Sequence, residues 1–264
     1  MAKSDFTPRT DSEREFKKVL ESIDYSKNRY NVFCDWLLCT ALAFAQISHF
    51  DQDREKRYLD TIGKYKDEKD RQKFAELAAI TANAFTLGNG PDFKDFLGNI
   101  YMICGFGSNA QGQFFTPYNV CQCMAGMLVQ EPEEGKIFTC SDPAVGGGAL
   151  PIAYAEALYN KGVNYQQYSY FECWDISQNS CCISMIQMSI LGMPATIVRG
   201  NSLTLEVYEV WETPFVGMHL IKERLRSQKE RETSTPVVTT PQVDFSDYGG
   251  MLFSLEEMGV SPAK

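Results

Sequence analysis

Histidine is scarce in this chain: His49 and His219 are the only two among 264 residues. Zinc sites draw on histidine or on cysteines paired as C-x2-4-C, and the nearest pattern is a C-x-C at Cys121 and Cys123 with Cys173 further on. A metal site is therefore not expected. Positive charge is also short. Lys and Arg number 25 against 34 Asp and Glu, for a net charge of −9, whereas unaided binding to nucleic acid runs on basic side chains that release counterions. Any DNA contact then needs a local basic patch or a partner. The opening MAKSDFTPRTDSER has no apolar h-region. No stretch reads as the ~18 uncharged apolar residues that span a bilayer, so no membrane is expected and the expected location is cytoplasmic.

What is present fits a globular chain. Hydrophobic residues make up 44% of the sequence, enough for one large domain or two small ones. The nine cysteines lie in apolar runs (Cys34, Cys39, Cys104, Cys140) or side by side (Cys181, Cys182), which reads as reduced, mostly buried thiols. From Asp11 to about Leu97 apolar residues recur at three- and four-residue steps, so this part is expected to be helical throughout. Ser12, with Glu15 three places later, can cap the first helix. Phe33, Trp36 and Phe44 read as helix-bundle core. Gly-Asn-Gly-Pro then marks a turn, DFKDFLGNIYMI a helix, GFGSNAQG a loop, and YNVCQCMAGMLVQ a helix with Pro117 at its first turn.

From Lys136 the period changes. KIFTCSD, YSYFECWDIS and PATIVRGNS read as strands separated by the helices GGGALPIAYAEALYNKG and QNSCCISMIQMSILGM, an order that implies a parallel sheet. LEVYEVWETPFV is a possible fourth strand, KERLRSQKERETSTPVVTTPQ a charged flexible stretch, and DFSDYGGMLFSLEEMG a tail that docks or does not. Three consecutive glycines, Gly146, Gly147 and Gly148, follow the first strand. Glycine is costly to order, yet this is where open parallel sheets bind ligands, and a bare backbone admits a cofactor close to helix amides. Asp175, at the end of the second strand, can accept from both hydroxyls of a ribose. The pattern points to a nucleoside cofactor; a tight strand-to-helix turn without a ligand is the other reading.

DPAVGGG resembles the glycine loop of S-adenosylmethionine-dependent amino-DNA methyltransferases, and GQFFTP, at residues 112–117, resembles the segment that precedes it in the modification subunits of type I restriction systems. FECWDIS and RGNSL look like the second-strand acid and the post-third-strand segment of the same adenine-N6 branch. The resemblance covers most of residues 10 to 215 and implies an α/β fold: a Rossmann-like methyltransferase sheet, shortened and mainly parallel, after an α-helical N-terminal domain. The division expected is 1–110 for the helical domain, 111–222 for the methyltransferase-like domain, and 223–264 for a charged Ser/Thr/Pro-rich linker and tail. The cofactor implied is S-adenosylmethionine. Gln113, Phe114, Phe115, Thr116 and Pro117 would close over its methionine end, Asp142, Ala144, Gly146 and Gly148 would line its amino acid and sulfur, Asp175 would hold the ribose, and Asn201 would sit beside the adenine ring. Simple core packing is the other reading of Phe114 and Phe115.

The family's chemistry needs a fourth-strand [DN]-P-P-[YFW], whose polar groups accept from the amino group of a flipped adenine while its aromatic residue stacks on the base. No such tetrapeptide occurs. The nearest in register is Glu212-Thr213-Pro214-Phe215, so the catalytic residues expected are Glu212, Pro214 and Phe215. Either Glu212 still accepts and Phe215 still stacks, or the longer acid has lost the geometry. The strands that would complete a seven-stranded sheet are hard to find after residue 216. The resemblance thus implies a DNA adenine-N6 methyltransferase, or a subunit of one, reaching DNA through a specificity or other partner, with a homo-oligomer also open. The competing expectation is a catalytically inactive, methyltransferase-like binding or regulatory protein. A methyltransferase acting on protein or RNA is a third, weakened by the same missing tetrapeptide.

Overall fold

The computed structural model describes residues 7–88, 90–106 and 115–234. The chain begins with four helices: α1 (Asp11–Ser22), α2 (Arg29–Ser48), α3 (Gln52–Ile62) and α4 (Glu68–Ala84). Their starts follow from side chains that satisfy the orphan amides of a first turn: Thr10, Asn28, Asp51 and Asp67 each accept a backbone N–H there. At α1 the sequence offers the same capping pattern twice, and the chain uses Thr10 with Glu13 rather than Ser12 with Glu15. The Glu13 carboxylate accepts from the Arg9 and Thr10 amides at 2.6 and 3.1 Å, and this start puts Phe16, Val19 and Leu20 inside. Where Gly-Asn-Gly-Pro marks a turn, the expectation of helix throughout to about Leu97 gives way to a small antiparallel hairpin, β1 (Thr86–Leu87) with β2 (Gly90–Pro91). Two further helices follow, α5 (Phe96–Ile103) and α6 (Tyr118–Leu128).

Phe33 and Trp36 are fully buried, as core residues should be, and Phe44 packs against the same core while half-buried. Phe16 meets the rings of Phe33, Trp36 and Phe96 edge-on, and the Trp36 indole donates to the Phe74 carbonyl at 3.0 Å. Helix α2, though it carries Asp35, has a mean hydropathy of 1.3 over a membrane-length window and is by length and composition alone apolar enough to cross a bilayer. Here Val32, Phe33, Trp36, Leu37, Ala41, Leu42 and Ala45 spend that apolarity on the protein core.

The sheet contains β3 (Phe138–Asp142), β4 (Ser169–Asp175), β5 (Ala195–Asn201) and β6 (Glu206–Glu212), in that spatial order. Strands β3, β4 and β5 run parallel, linked by α7 (Ala149–Asn160) with the single turn α8 (Tyr165–Tyr168), and by α9 (Gln178–Ile190). Helix α9 is buried from Ser180 to Ser189, wedged between the sheet and α2 and α5. Strand β6 departs from a fully parallel plan. It returns antiparallel along β5, pairing Glu206 with Asn201 and Glu212 with Thr196. The short α10 (Pro214–Met218) and then α11 (Ile221–Ser234) follow, so the charged stretch expected to be flexible is helical as far as Ser234. The expected tail, DFSDYGGMLFSLEEMG, lies outside the described residues. Met1–Gln228 forms one compact unit and Lys229–Lys264 a second. Within the first, α1, α2, α4 and α5 share one hydrophobic core with β3, β4 and β5, so a line drawn at residue 110 passes through common packing.

Candidate functional site

The three parallel strands end at Asp142, Asp175 and Asn201, and the first two carry the site. After Asp142 the chain turns into α7 through backbone that only glycine adopts cheaply: Gly146 has φ +54° and Gly148 φ +89°. Space is as limiting as torsion. A Cβ on Gly146 would lie 3.0 Å from the Phe115 ring, and one on Gly147 3.2 Å from Asp95 Oδ1. Here is the physical answer to why three glycines stand together.

Hydrogen bonds fix the loop from three directions. From β4, the Trp174 carbonyl accepts from Val145 N at 2.8 Å and Asp175 Oδ2 from Gly146 N at 2.9 Å. Asp142 Oδ1 accepts from Ala144 N at 3.0 Å. From α9, Ser184 Oγ donates to the Gly146 carbonyl at 2.8 Å, and Gln187 Nε2 donates to the Gly147 carbonyl at 2.7 Å. Gln187 Nε2 also donates to Asp95 Oδ1 at 2.9 Å, while Gln187 Oε1 accepts from Leu97 N at 2.9 Å. The loop carbonyls are thus held by side chains from the opposite layer, a buried network with high cost for any missing member.

A cavity of about 190 Å³ opens over the loop, lined by Phe115, Thr116, Cys121, Asp142, Ala144 and Gly146 among others. Beyond Phe115 and Thr116 lies a second cavity of about 560 Å³, which Asp95, Asn99, Pro117 and Tyr118 also line. The acids carry unusual electrostatics. Burial raises the Asp142 pKa above its ordinary 3.8, against the Ala144 amide, and the neighbouring Asp175 charge adds to the rise. Asp95, 3% exposed, is likewise raised by burial against its bonds from Gln187 and Gly98. Acids placed this way favour a ligand with positive charge and hydroxyl donors. The residues present fit S-adenosylmethionine in this sense: bare backbone for close approach, Asp175 beside the loop, and an aromatic ring over Gly146.

The other expected residues divide sharply. Gln113 and Phe114 lie outside the described residues. Phe115 and Thr116 sit over the loop, Pro117 begins α6 and lines the larger cavity, and Gly148 begins α7. Asn201 is at the same sheet edge, but its Oδ1 accepts from Leu203 N and Thr204 N at 3.0 and 3.3 Å and so holds the β5–β6 turn. Glu212, Pro214 and Phe215 are not in the site. Because β6 runs backwards, Glu212 pairs with Thr196 at the amino end of β5, and at ~3.3 Å per residue that is roughly 17 Å from the level of Asn201. Glu212 pairs there with Lys222, and Phe215 Cζ covers Gly192. Cys121 is buried, Cys123 exposed on the same helix, and Cys173 buried in β4; among the described residues no three His, Cys, Asp or Glu side chains group to hold a metal.

Asp95, Ser184 and Gln187 went unnoticed in the sequence. The signals were faint: an aspartate just before an apolar helix, and a lone amide inside SMIQMSIL, where every neighbour but Ile190 is buried.

Residues 92–219 match the family model described as N-6 DNA Methylase. Among solved structures, the chain is similar to a Listeria monocytogenes protein described as a class I S-adenosylmethionine-dependent methyltransferase, at 14% identity and TM-score 0.44, covering 74% of this chain and 55% of that one. It is also similar to the type I restriction-modification system methyltransferase subunit of Streptococcus thermophilus, at 17% identity and TM-score 0.33, covering 70% of this chain and 55% of that one. The chain therefore spans about half the length of these structures. No curated protein matches it.

Proposed function

We propose that this chain, whose residues 92–219 match the family model described as N-6 DNA Methylase, binds S-adenosylmethionine over the glycine loop and serves a DNA adenine-N6 methyltransferase as its cofactor-holding part. The observation that carries the reading is the loop itself: glycines in left-handed backbone after β3, with Asp175 on one side and the Phe115 ring above. The cofactor, when bound, supplies a sulfonium-activated methyl group. The chain's own residues do the holding. Asp175 spends one lone pair of each oxygen on Gly146 N and Ser177 N and keeps the others for ribose hydroxyls. Phe115 and Thr116 wall off water, and Asp142, buried and close to Asp175, favours a cation.

The groups that accept from the adenine amino group would come from a partner, either a separate chain or a second copy of this one. This follows from the position of Glu212, Pro214 and Phe215 at the wrong end of the sheet, and the net charge of −9 supports DNA contact through a partner as well. The cytoplasmic setting proposed with it suits nine cysteines that are all free. The same misplaced tetrapeptide favours a second reading, a catalytically inactive methyltransferase-like binding or regulatory protein. Incubation with labelled S-adenosylmethionine and adenine-containing DNA, alone and with co-purified partners, separates them. Labelled N6-methyladenine supports the first reading, whereas cofactor binding with no transfer under either condition supports the second.

A further inference from the structure

Asp95 has a role that capping α5 does not exhaust. Its Oδ1 is satisfied by Gly98 N and Gln187 Nε2, both at 2.9 Å. Its Oδ2 accepts from no described residue yet is not among the fully buried atoms left without a partner, and no lysine or arginine among the described residues is ion-paired with it. A carboxylate this deeply buried is costly unless something compensates it. The residue also lines the 560 Å³ cavity, whose wall of Phe115 and Thr116 is shared with the cavity over the glycine loop.

The two acids bracket the loop. Asp175 grips Gly146 N from β4, and Asp95 rests against Gly147 from the start of α5 and lines the 560 Å³ cavity that Phe115 and Thr116 also line. A ligand lying along the loop with hydroxyls at Asp175 would present its other end toward Asp95. Resting on the cofactor reading above, we propose that Asp95 is the acceptor for the α-ammonium group of the cofactor's amino acid moiety, a binding residue for a primary ammonium cation. The cation supplies the missing partner of Oδ2, while the α5 amides and Gln187 hold the carboxylate in place. The burial that raises the pKa of the empty site is offset once a positive charge sits beside it.

The test compares three ligands: S-adenosylhomocysteine, its analogue with the α-amino group replaced by hydrogen, and methylthioadenosine, which lacks the amino acid entirely. Each is titrated calorimetrically into the full chain and into Asp95→Asn, a change that keeps an N-cap and an acceptor for Gly98 N. The wild type should bind S-adenosylhomocysteine about 10- to 100-fold tighter than the deaminated analogue, the range expected for one hydrogen bond to a charged group. Asp95→Asn should lose that preference and bind methylthioadenosine as the wild type does. If the variant keeps the preference, or weakens all three ligands equally, Asp95 is only a cap and the proposal falls while the cofactor reading stands. If the wild type binds none of the three, the cofactor reading falls and takes this assignment with it.

Discussion

The two ends of the parallel strands are built on opposite principles. At the carboxyl end of β3 and β4, Asp142 is buried at an electrostatic cost, Gly146 and Gly148 sit in left-handed backbone, and the Phe115 ring leaves no room for a Cβ on Gly146. At the amino end of β5, Thr213 ties the corner together through its hydroxyl. Thr213 is 0% exposed, its hydroxyl donating to the Met193 carbonyl at 2.6 Å and accepting from Ala195 N at 2.9 Å. Glu212 is paired with Lys222, and Phe215 packs on Gly192. Left-handed glycine backbone beside a buried acid at one end, and a hydroxyl spent on two backbone groups at the other, are what a ligand site and a structural corner should look like. The residues 212–215 look catalytic in the sequence and structural in the fold.

Substitutions at each end should separate these roles. The largest effect is expected from Gly146→Val. A β-branched side chain at φ +54° whose Cβ would sit 3.0 Å from Phe115 should weaken S-adenosylmethionine binding by at least ~100-fold in a calorimetric titration and cost ~1–3 kcal/mol of stability. Asp175→Ala removes the acceptor of the Gly146 and Ser177 amides and of the ribose, and should weaken the cofactor about 10- to 100-fold. At the other end, Thr213→Val strands a buried carbonyl and a buried amide. Urea unfolding should show a loss of about 2 kcal/mol, with cofactor affinity unchanged within twofold in the protein that remains folded.

A pH series sharpens the contrast. The folded-state pKa of Asp142 is raised by burial, so the folded chain holds this proton longer than the unfolded chain does. Its contribution to stability is therefore greatest in acid and is lost as pH rises from 3.8 through the raised value. Affinity for a cationic cofactor should increase over the same interval, and Asp142→Asn should flatten both trends. Smallest of all is Glu212→Gln, which removes a partly exposed pair with Lys222 and should change stability by less than about 1 kcal/mol in the same urea experiment.

Most of the elements were legible because they repeat locally. β3, β4 and β5 fall within the apolar runs that name them, α9 fills the stretch between two of them, and the loop was marked by three glycines after a strand. The failures share a cause. The direction of β6 is a choice between two partners for the same apolar run, and no local period reports which edge it will join. The hairpin at Thr86–Leu87 and Gly90–Pro91 is too short to show alternation. Thr10 and Ser12 offer identical capping patterns, distinguished only by which helical face then meets the core. In the site, Asp142, Gly146 and Asp175 could be read because their spacing along the chain carries the chemistry. Asp95 and Gln187 could not, because they stand far apart in sequence and meet only when α5 packs on α9.

The most direct measurement is a calorimetric titration of S-adenosylmethionine into three proteins: the wild type, Asp175→Ala and Phe215→Ala. The account predicts binding in the wild type, its loss or severe weakening in Asp175→Ala, and wild-type affinity in Phe215→Ala. Undiminished binding in Asp175→Ala, or binding abolished in a folded Phe215→Ala, would contradict it and place the cofactor elsewhere.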